Sequence, residues 1–234
     1  MKRLILIIVI SFISLNLFAT AQESDYLIYK GDTLKLLTNP LDSYFQAHNV
    51  KFDDFFLSEE FSISSSRWRG YIAYFEIKNN KLYVVDILKD YSFIDSKGND
   101  YSEDISVMDS VFPKQDKYLL KEYTGVLRIP IGKMKNYVHM GYSSGYEGYN
   151  FIEIEKGEVL AEKYLSNEEY RLIKETQYKE YMKTEEYENE LNEMIKNSTS
   201  ENPRTDLYIH ILYNFFEPKI NVREAQLDFG GLSE

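Results

Sequence analysis

The stretch RWRGYIAYFEIKNNKLYVVDI, residues 67–87, decides the fold. Tyr71, Ala73, Phe75 and Ile77 alternate with Gly70, Ile72, Tyr74 and Glu76, the period of two that turns alternate side chains to opposite faces of a strand. The first set is wholly apolar and the second partly so, which predicts a central strand covered on at least part of both faces. Asn79-Asn80 tolerates left-handed backbone and supplies a turn, after which residues 82–87 return. Everything else is read outward from this hairpin.

Upstream, SDYLIYKGDTLKLLTNP (24–40) joins two short apolar runs through Lys30-Gly31-Asp32, a second hairpin. Asn39-Pro40 stops it, and Leu41, Tyr44 and Phe45 then fall at helical spacing. Residues 51–66 show neither period and read as loop with a helical turn around 52–57. Downstream, a polar loop leads to a short helix over 103–111, ended by Pro113. TGVLRIPIG reads as a strand over 124–129, its end confined by Pro130 to an edge or bulge. NYVHM (136–140) is the next expected strand, GYSSGYEGYN (141–150) a loop, and the run to Tyr164 a hairpin turning at Lys156-Gly157.

At Ser166 the pattern changes. Ser166 and Glu169 form a capping box, with Leu165 and Tyr170 placed for a hydrophobic staple. One long helix is expected to about residue 196, with Tyr170, Ile173, Tyr181, Leu191, Met194 and Ile195 on one face. Nine Glu against five Lys and Arg make its other surface acidic. DLYIHILYNFFEP (206–218) is apolar nearly all round and reads as a buried helix between Asp206 and Pro218, followed by a loose tail. The fold class implied is α+β: a mainly antiparallel sheet of roughly seven strands with short helices over residues 22–163, then a helical extension over 164–234.

The N-terminal residues 1–21 give Lys2 and Arg3, an apolar run, and Ala19-Thr20-Ala21, the order of a secretory signal peptide cut after Ala21. Export to the periplasm or exterior is the expectation, with no stable membrane insertion after cleavage. The chain of 234 residues has no cysteine, which excludes disulfides, thiolate chemistry and a cysteine-borne lipid. Loss of Lys2 and Arg3 takes the formal net charge from −11 to −13. Such a balance repels phosphate backbones, so nucleic acid is not the expected partner, whereas a basic protein, a peptide or a glycan is.

Three phrases stand in order along the sheet region: Asn39-Pro40-Leu41 with Tyr44-Phe45; WRGYIA at 68–73; and GVLRIPIG at 125–132 with YVHMGY at 137–142. In these the chain resembles a group of uncharacterised bacterial proteins. Phe75 stands where the group commonly has Trp, and the C-terminal helices lie outside the resemblance. It implies a shared compact fold and no particular reaction.

Two constellations are candidates for function. Trp68 and Arg69, with Tyr142 and Tyr146 from the glycine-rich stretch, combine the residue types that dominate binding surfaces; the bland alternative is that Trp68 closes the end of the core and Arg69 pairs with a neighbouring acid. Arg128, His139 and Glu147 combine an anion clamp, a general base and a carboxylate, as an exported hydrolase acting on a cell-wall or glycan substrate would need. No GxSxG, HExxH or phosphate-loop pattern accompanies them. The three histidines are far apart in sequence, so neither a metal nor another cofactor is expected. The leading expectation is a non-enzymatic binding or interaction protein, with an immunity-like inhibitor of a basic toxin as one form of it.

Overall fold

A computed structural model describes residues 22–56, 66–94, 100–138, 142–197, 205 and 219–223. The hairpin at its centre is β3 (Ile72–Lys78) and β4 (Lys81–Ile94), turning at Asn79 and Asn80 with φ of 52° and 57°. β1 (Asp25–Tyr29) and β2 (Asp32–Leu36) form the upstream hairpin, and β1 lies parallel to β3. β5 (Asp100–Ser106) and β6 (Tyr118–Leu119) pair with β4, while β7 (Gly125–Asn136), β8 (Gly145–Glu155) and β9 (Glu158–Ser166) form a meander. Among the described residues the sheet has nine strands, seven in the order β2-β1-β3-β4-β9-β8-β7 with β5 and β6 paired to β4 off that path, and every pair but β1–β3 is antiparallel.

Strand twist curls this sheet until its end strands meet. The Leu37 amide just past β2 donates to the Arg128 carbonyl of β7 at 2.8 Å, and the Arg128 guanidinium donates back to the Leu37 carbonyl at 3.3 Å. At the opposite seam, β4 and β9 meet through their turns, where the Leu82 amide donates to the Gly157 carbonyl and the Val159 amide to the Asn80 carbonyl. The enclosed core draws on strands all round: Leu27, Leu36, Phe75, Leu82, Val84, Leu127, Ile129 and Ile152 are fully buried. Each such side chain contributes about 1.5–3 kcal/mol relative to exposure. Helix α1 (Asp42–His48) adds Phe45, packed edge-on to Phe52 and Tyr71.

The outer face of β7 and β8 is covered separately. Helix α3 (Asn167–Tyr181), which follows the short helix α2 (Met108–Val111), lays Tyr170 against Tyr149 and Phe151. The capping box forms: Ser166 Oγ accepts from the Glu169 amide, and Glu169 Oε2 accepts from the Ser166 amide at 2.7 Å. Leu165 and Tyr170 are both buried in the same cluster, as the staple requires.

Five expectations change on inspection. Residues 100–106 are strand, not the loop and start of a helix that the expected helix over 103–111 required, because Tyr101, Glu103 and Ile105 alternate and the free edge of β4 is there to pair with; only Met108–Val111 is helical. β7 runs through Pro130 to Asn136; the proline sits on the sheet's end strand, where a missing amide breaks no inner ladder. No separate strand starts at Asn136, and residues 145–150 are not loop but the start of β8, paired with β7 across bulges. The long helix is two: α3 ends at Tyr181 and α4 (Glu185–Asn197) starts after Thr184, whose Oγ1 accepts from the Tyr187 amide. Residues 219–223 are not loose, since Val222 is buried and Gln177 clasps the Lys219 backbone at 2.8 Å in both directions. The signal-peptide reading at 1–21, the apolar segment 206–218 and the rest of the tail lie outside the described residues.

Glu162 on β9 ties β1 across the core to the meander. Its Oε2 accepts from Tyr29 Oη at 3.0 Å and Lys30 Nζ at 2.8 Å, and its Oε1 from Asn150 Nδ2 at 2.6 Å. Partial burial works against the charge, yet the hydrogen bonds from Lys30, Asn150 and Tyr29 hold the carboxyl below its ordinary value. A depressed carboxylate stabilises the fold above the unfolded-state pKa, and that stability is lost as pH falls through the folded-state value. Glu162→Gln is therefore expected to lower stability at neutral pH by no more than about 1 kcal/mol, as for a largely exposed pair. In urea titrations the difference from wild type should close between about pH 5 and about pH 3; a difference that persists in acid would show that the carboxylate's charge is not what stabilises.

Candidate functional site: a tyrosine cleft over a buried ion pair

Asp25, the first residue of β1, points inward and is wholly buried. Its Oδ2 accepts from Arg69 Nη1 at 3.0 Å and its Oδ1 from Arg69 Nη2 at 2.8 Å, while the Ala73 amide donates to Oδ1 at 2.9 Å. Burial pushes the Asp25 carboxyl up from its ordinary value against the pull of Arg69 and Ala73. Burial also opposes the charge on Arg69, but the Asp25 hydrogen bonds win and hold the guanidinium above its usual range. Arg69 lies over the Tyr71 ring, 4.7 Å from its centroid, and Tyr71 Oη donates to Asp42 at the start of α1. Arg69 Nε is buried without a hydrogen-bond partner among the described residues, so the fork geometry of the pair is kept at a desolvation cost.

The pair carries a cleft. Tyr142 Oη accepts from Arg69 Nη2 at 3.3 Å and donates to Asn39 Oδ1 at 2.9 Å. Burial raises the Tyr142 phenol well above its ordinary value, so at neutral pH it remains a hydroxyl that can donate. Tyr142 is one wall of a cleft of about 240 Å³, with Tyr26, Tyr137, Tyr146, Met134 and Lys35 among its other linings. It opens where β2 and β7 part beyond the Leu37–Arg128 contact. Glu23, also on its wall, is held by Arg67, whose Nε donates at 2.6 Å and whose Nη1 reaches Asp104 on β5.

The candidate residues thus separate. Arg69, Tyr142 and Tyr146 come together, with Arg69 beneath the cleft, not in it. Trp68 does not close the core: it is 64% exposed, in the turn made by the Gly70 amide donating to the Arg67 carbonyl. Arg69 does pair with a neighbouring acid, as the bland reading had it. Arg128 is buried on the outer face of β7, its Nη1 donating to Tyr170 Oη at 2.7 Å beneath α3. Glu147 is at the surface with Lys135 Nζ 3.1 Å away, its carboxyl held below the ordinary range first by the Lys133 backbone and then by Lys135. His139 lies outside the described residues. Arg128 and Glu147 line neither the tyrosine cleft nor a smaller one of about 130 Å³ between α3 and the β7–β8 ribbon.

Sequence reasoning missed Asp25, Asn39, Tyr26 and Lys35. Asp25 carried a signal, being an acid at an inward position of an otherwise apolar alternation, which calls for a buried partner. Tyr26 and Lys35 carried none, since their meeting with Tyr142 depends on closure of the sheet. A second polar cluster was missed as well: Glu122, its side chain 7% exposed, accepts from Tyr118 Oη at 2.7 Å and lies 3.4 Å from His48 Nε2.

Among the described residues no group of histidines and acids could hold a metal ion, and no helix is long and apolar enough to cross a membrane. No protein-family model, curated protein or solved structure matches the chain.

Removal of one partner of the buried pair leaves an uncompensated charge. Arg69→Ala and Asp25→Ala are each expected to lose about 3–5 kcal/mol, and the double variant to lose clearly less than the two together. Urea midpoints for the four proteins measure the coupling; strict additivity would mean that the pair is not an energetic unit.

Proposed function

We propose that the protein is an exported, non-enzymatic binding protein and that the tyrosine cleft is its ligand site. The observation that carries this reading is the cleft itself: aromatic walls, a few polar groups, and a floor fixed by Tyr142, Arg69 and Asp25. Concave sites of this composition are where ligands bind, and a floor ordered in advance lowers the entropy lost on binding. The signal-peptide pattern at residues 1–21 supports a ligand in the envelope or outside the cell. Tyr142 and Tyr146 supply contact area as the sequence suggested, whereas Trp68 belongs to a separate exposed turn.

The hydrolase reading gains no support from the geometry. Its arginine is committed to Tyr170 and Leu37, and its carboxylate sits beside Lys135 away from either cleft. The resemblance through the three phrases implies no reaction.

The test is affinity capture on immobilised protein, residues 22–234, from detergent-solubilised envelope and culture supernatant of its own host. A retained component is expected to be lost with the pair Tyr26→Ala and Tyr146→Ala in a protein whose melting temperature is unchanged. Retention that is indifferent to both substitutions, or no retention at all, would remove the cleft as the ligand site.

A further inference from the structure

We propose that the cleft takes a sugar ring of an envelope glycan, with the adjoining ring of the same glycan lying on Tyr26 and Tyr74. This rests on the cleft being a ligand site and names what enters it.

Size gives the first restriction. At about 240 Å³ the cleft is smaller than the usual ligand pocket, which runs from about 300 to 1,000 Å³. It holds one ring-sized group and lacks the broad face of a protein interface, where each partner buries about 800 Å². Wall chemistry gives the second. Tyrosine offers a flat apolar face and a hydroxyl edge, and a pyranose is built the same way, with C–H bonds on its faces and hydroxyls round its rim.

Charge separates a sugar from a basic peptide, which the acidity of the chain had favoured. Glu23 is the carboxylate on the cleft wall, and Arg67 already neutralises it at 2.6 Å. Lys35 lines the same cleft, and its ammonium makes no hydrogen bond or ion pair among the described residues. A lysine or arginine side chain entering here would meet an unpaired ammonium and no free carboxylate. A polyhydroxyl ring instead finds a donor in Lys35, while the one hydroxyl hydrogen of Ser144 is donated to the Val138 carbonyl.

The aromatic surface continues out of the cleft. Tyr26 stacks on Tyr74 of the neighbouring strand, with ring centroids 5.0 Å apart and planes 18° from parallel. Both lie on the outer face of the sheet, since Asp25 and Leu27 flanking Tyr26, and Ala73 and Phe75 flanking Tyr74, point inward and are buried. A chain of linked rings, one in the cleft and the next across Tyr26 and Tyr74, uses both surfaces, whereas a single free sugar uses only the first.

The experiment is calorimetric titration of residues 22–234 with chitotriose, cellotriose and mannotriose, and with trilysine as the cationic control, backed by a glycan array covering acidic and acetylated sugars. Saturable binding of an oligosaccharide is expected, weakened about tenfold, or about 1.4 kcal/mol, by each of Tyr137→Ala, Lys35→Ala and Tyr74→Ala, with trilysine inert. Tyr137 is half exposed, so its variant tests the site without threatening the fold. Sugar binding that survives all three substitutions, or saturable trilysine binding lost with Tyr137→Ala, would overturn the assignment. An array without a hit does so too, and leaves the binding-protein reading standing if the capture experiment retains a component through the cleft. Cleavage of a bound oligosaccharide, seen by mass spectrometry, would instead overturn the non-enzymatic reading and keep the sugar.

Discussion

The fold and its cleft both depend on where the charge of Asp25 goes. A carboxylate at an inward position of a core strand is tolerated only with its hydrogen bonds complete, and Arg69 with the Ala73 amide completes them. A hydrophobic pair of equal volume would serve stability as well or better. What the ion pair adds is register. β1 lies parallel to β3, and slipping it by one residue would send Asp25 to the outer face and turn Tyr26 inward. The pair therefore fixes which tyrosine faces the cleft.

From that register the closure follows. β1 set against β3 brings β2 to the far edge of the sheet, where Leu37 meets Arg128 of β7. The contact is reciprocal through the Arg128 side chain, and Tyr170 of α3 holds the same guanidinium from outside. Closure in this way leaves little open edge, the usual hazard of a sheet. Beyond the joint the strands part, and Met134 and Tyr137 face Tyr26 and Lys35 across the gap. The cleft is thus the unclosed remainder of a nearly closed sheet.

Local features were legible in the sequence because local chemistry determines them. The two asparagines at 79–80, the Lys30-Gly31 and Lys156-Gly157 turns, and the Ser166–Glu169 box all form as their residue types dictate. The inward set Tyr71, Ala73 and Phe75 is buried as its alternation requires. Misreadings came where a distant partner decides. Residues 100–106 carry an alternation too polar to announce a strand until the edge of β4 is there to pair with, and the glycines at 145 and 148 suggest loop until β7 lies beside them. The bland alternative for Trp68, that it closes the core, fails: the side chain that enters the core is its neighbour Arg69, because Asp25 needs it. The tyrosine cleft was half visible, through Tyr142 and Tyr146, and its other wall was out of reach without the topology.

Residues from the three sequence phrases meet in space. Asn39 from the first, Arg69 from the second and Tyr142 from the third join in one hydrogen-bonded chain through the Tyr142 hydroxyl, and Arg128, also from the third, grips Leu37, two residues before Asn39. Residues spread over a hundred positions converge on the floor and hinge of a single cleft. Among the described residues no group of histidines and acids that could hold a metal stands at that convergence; Asp25, Arg69, Tyr142 and Asn39 are tied to one another. The strongest polar groups there, Asp25 and Arg69, hold in place a tyrosine that lines the cleft, so the wall is ordered before anything meets it.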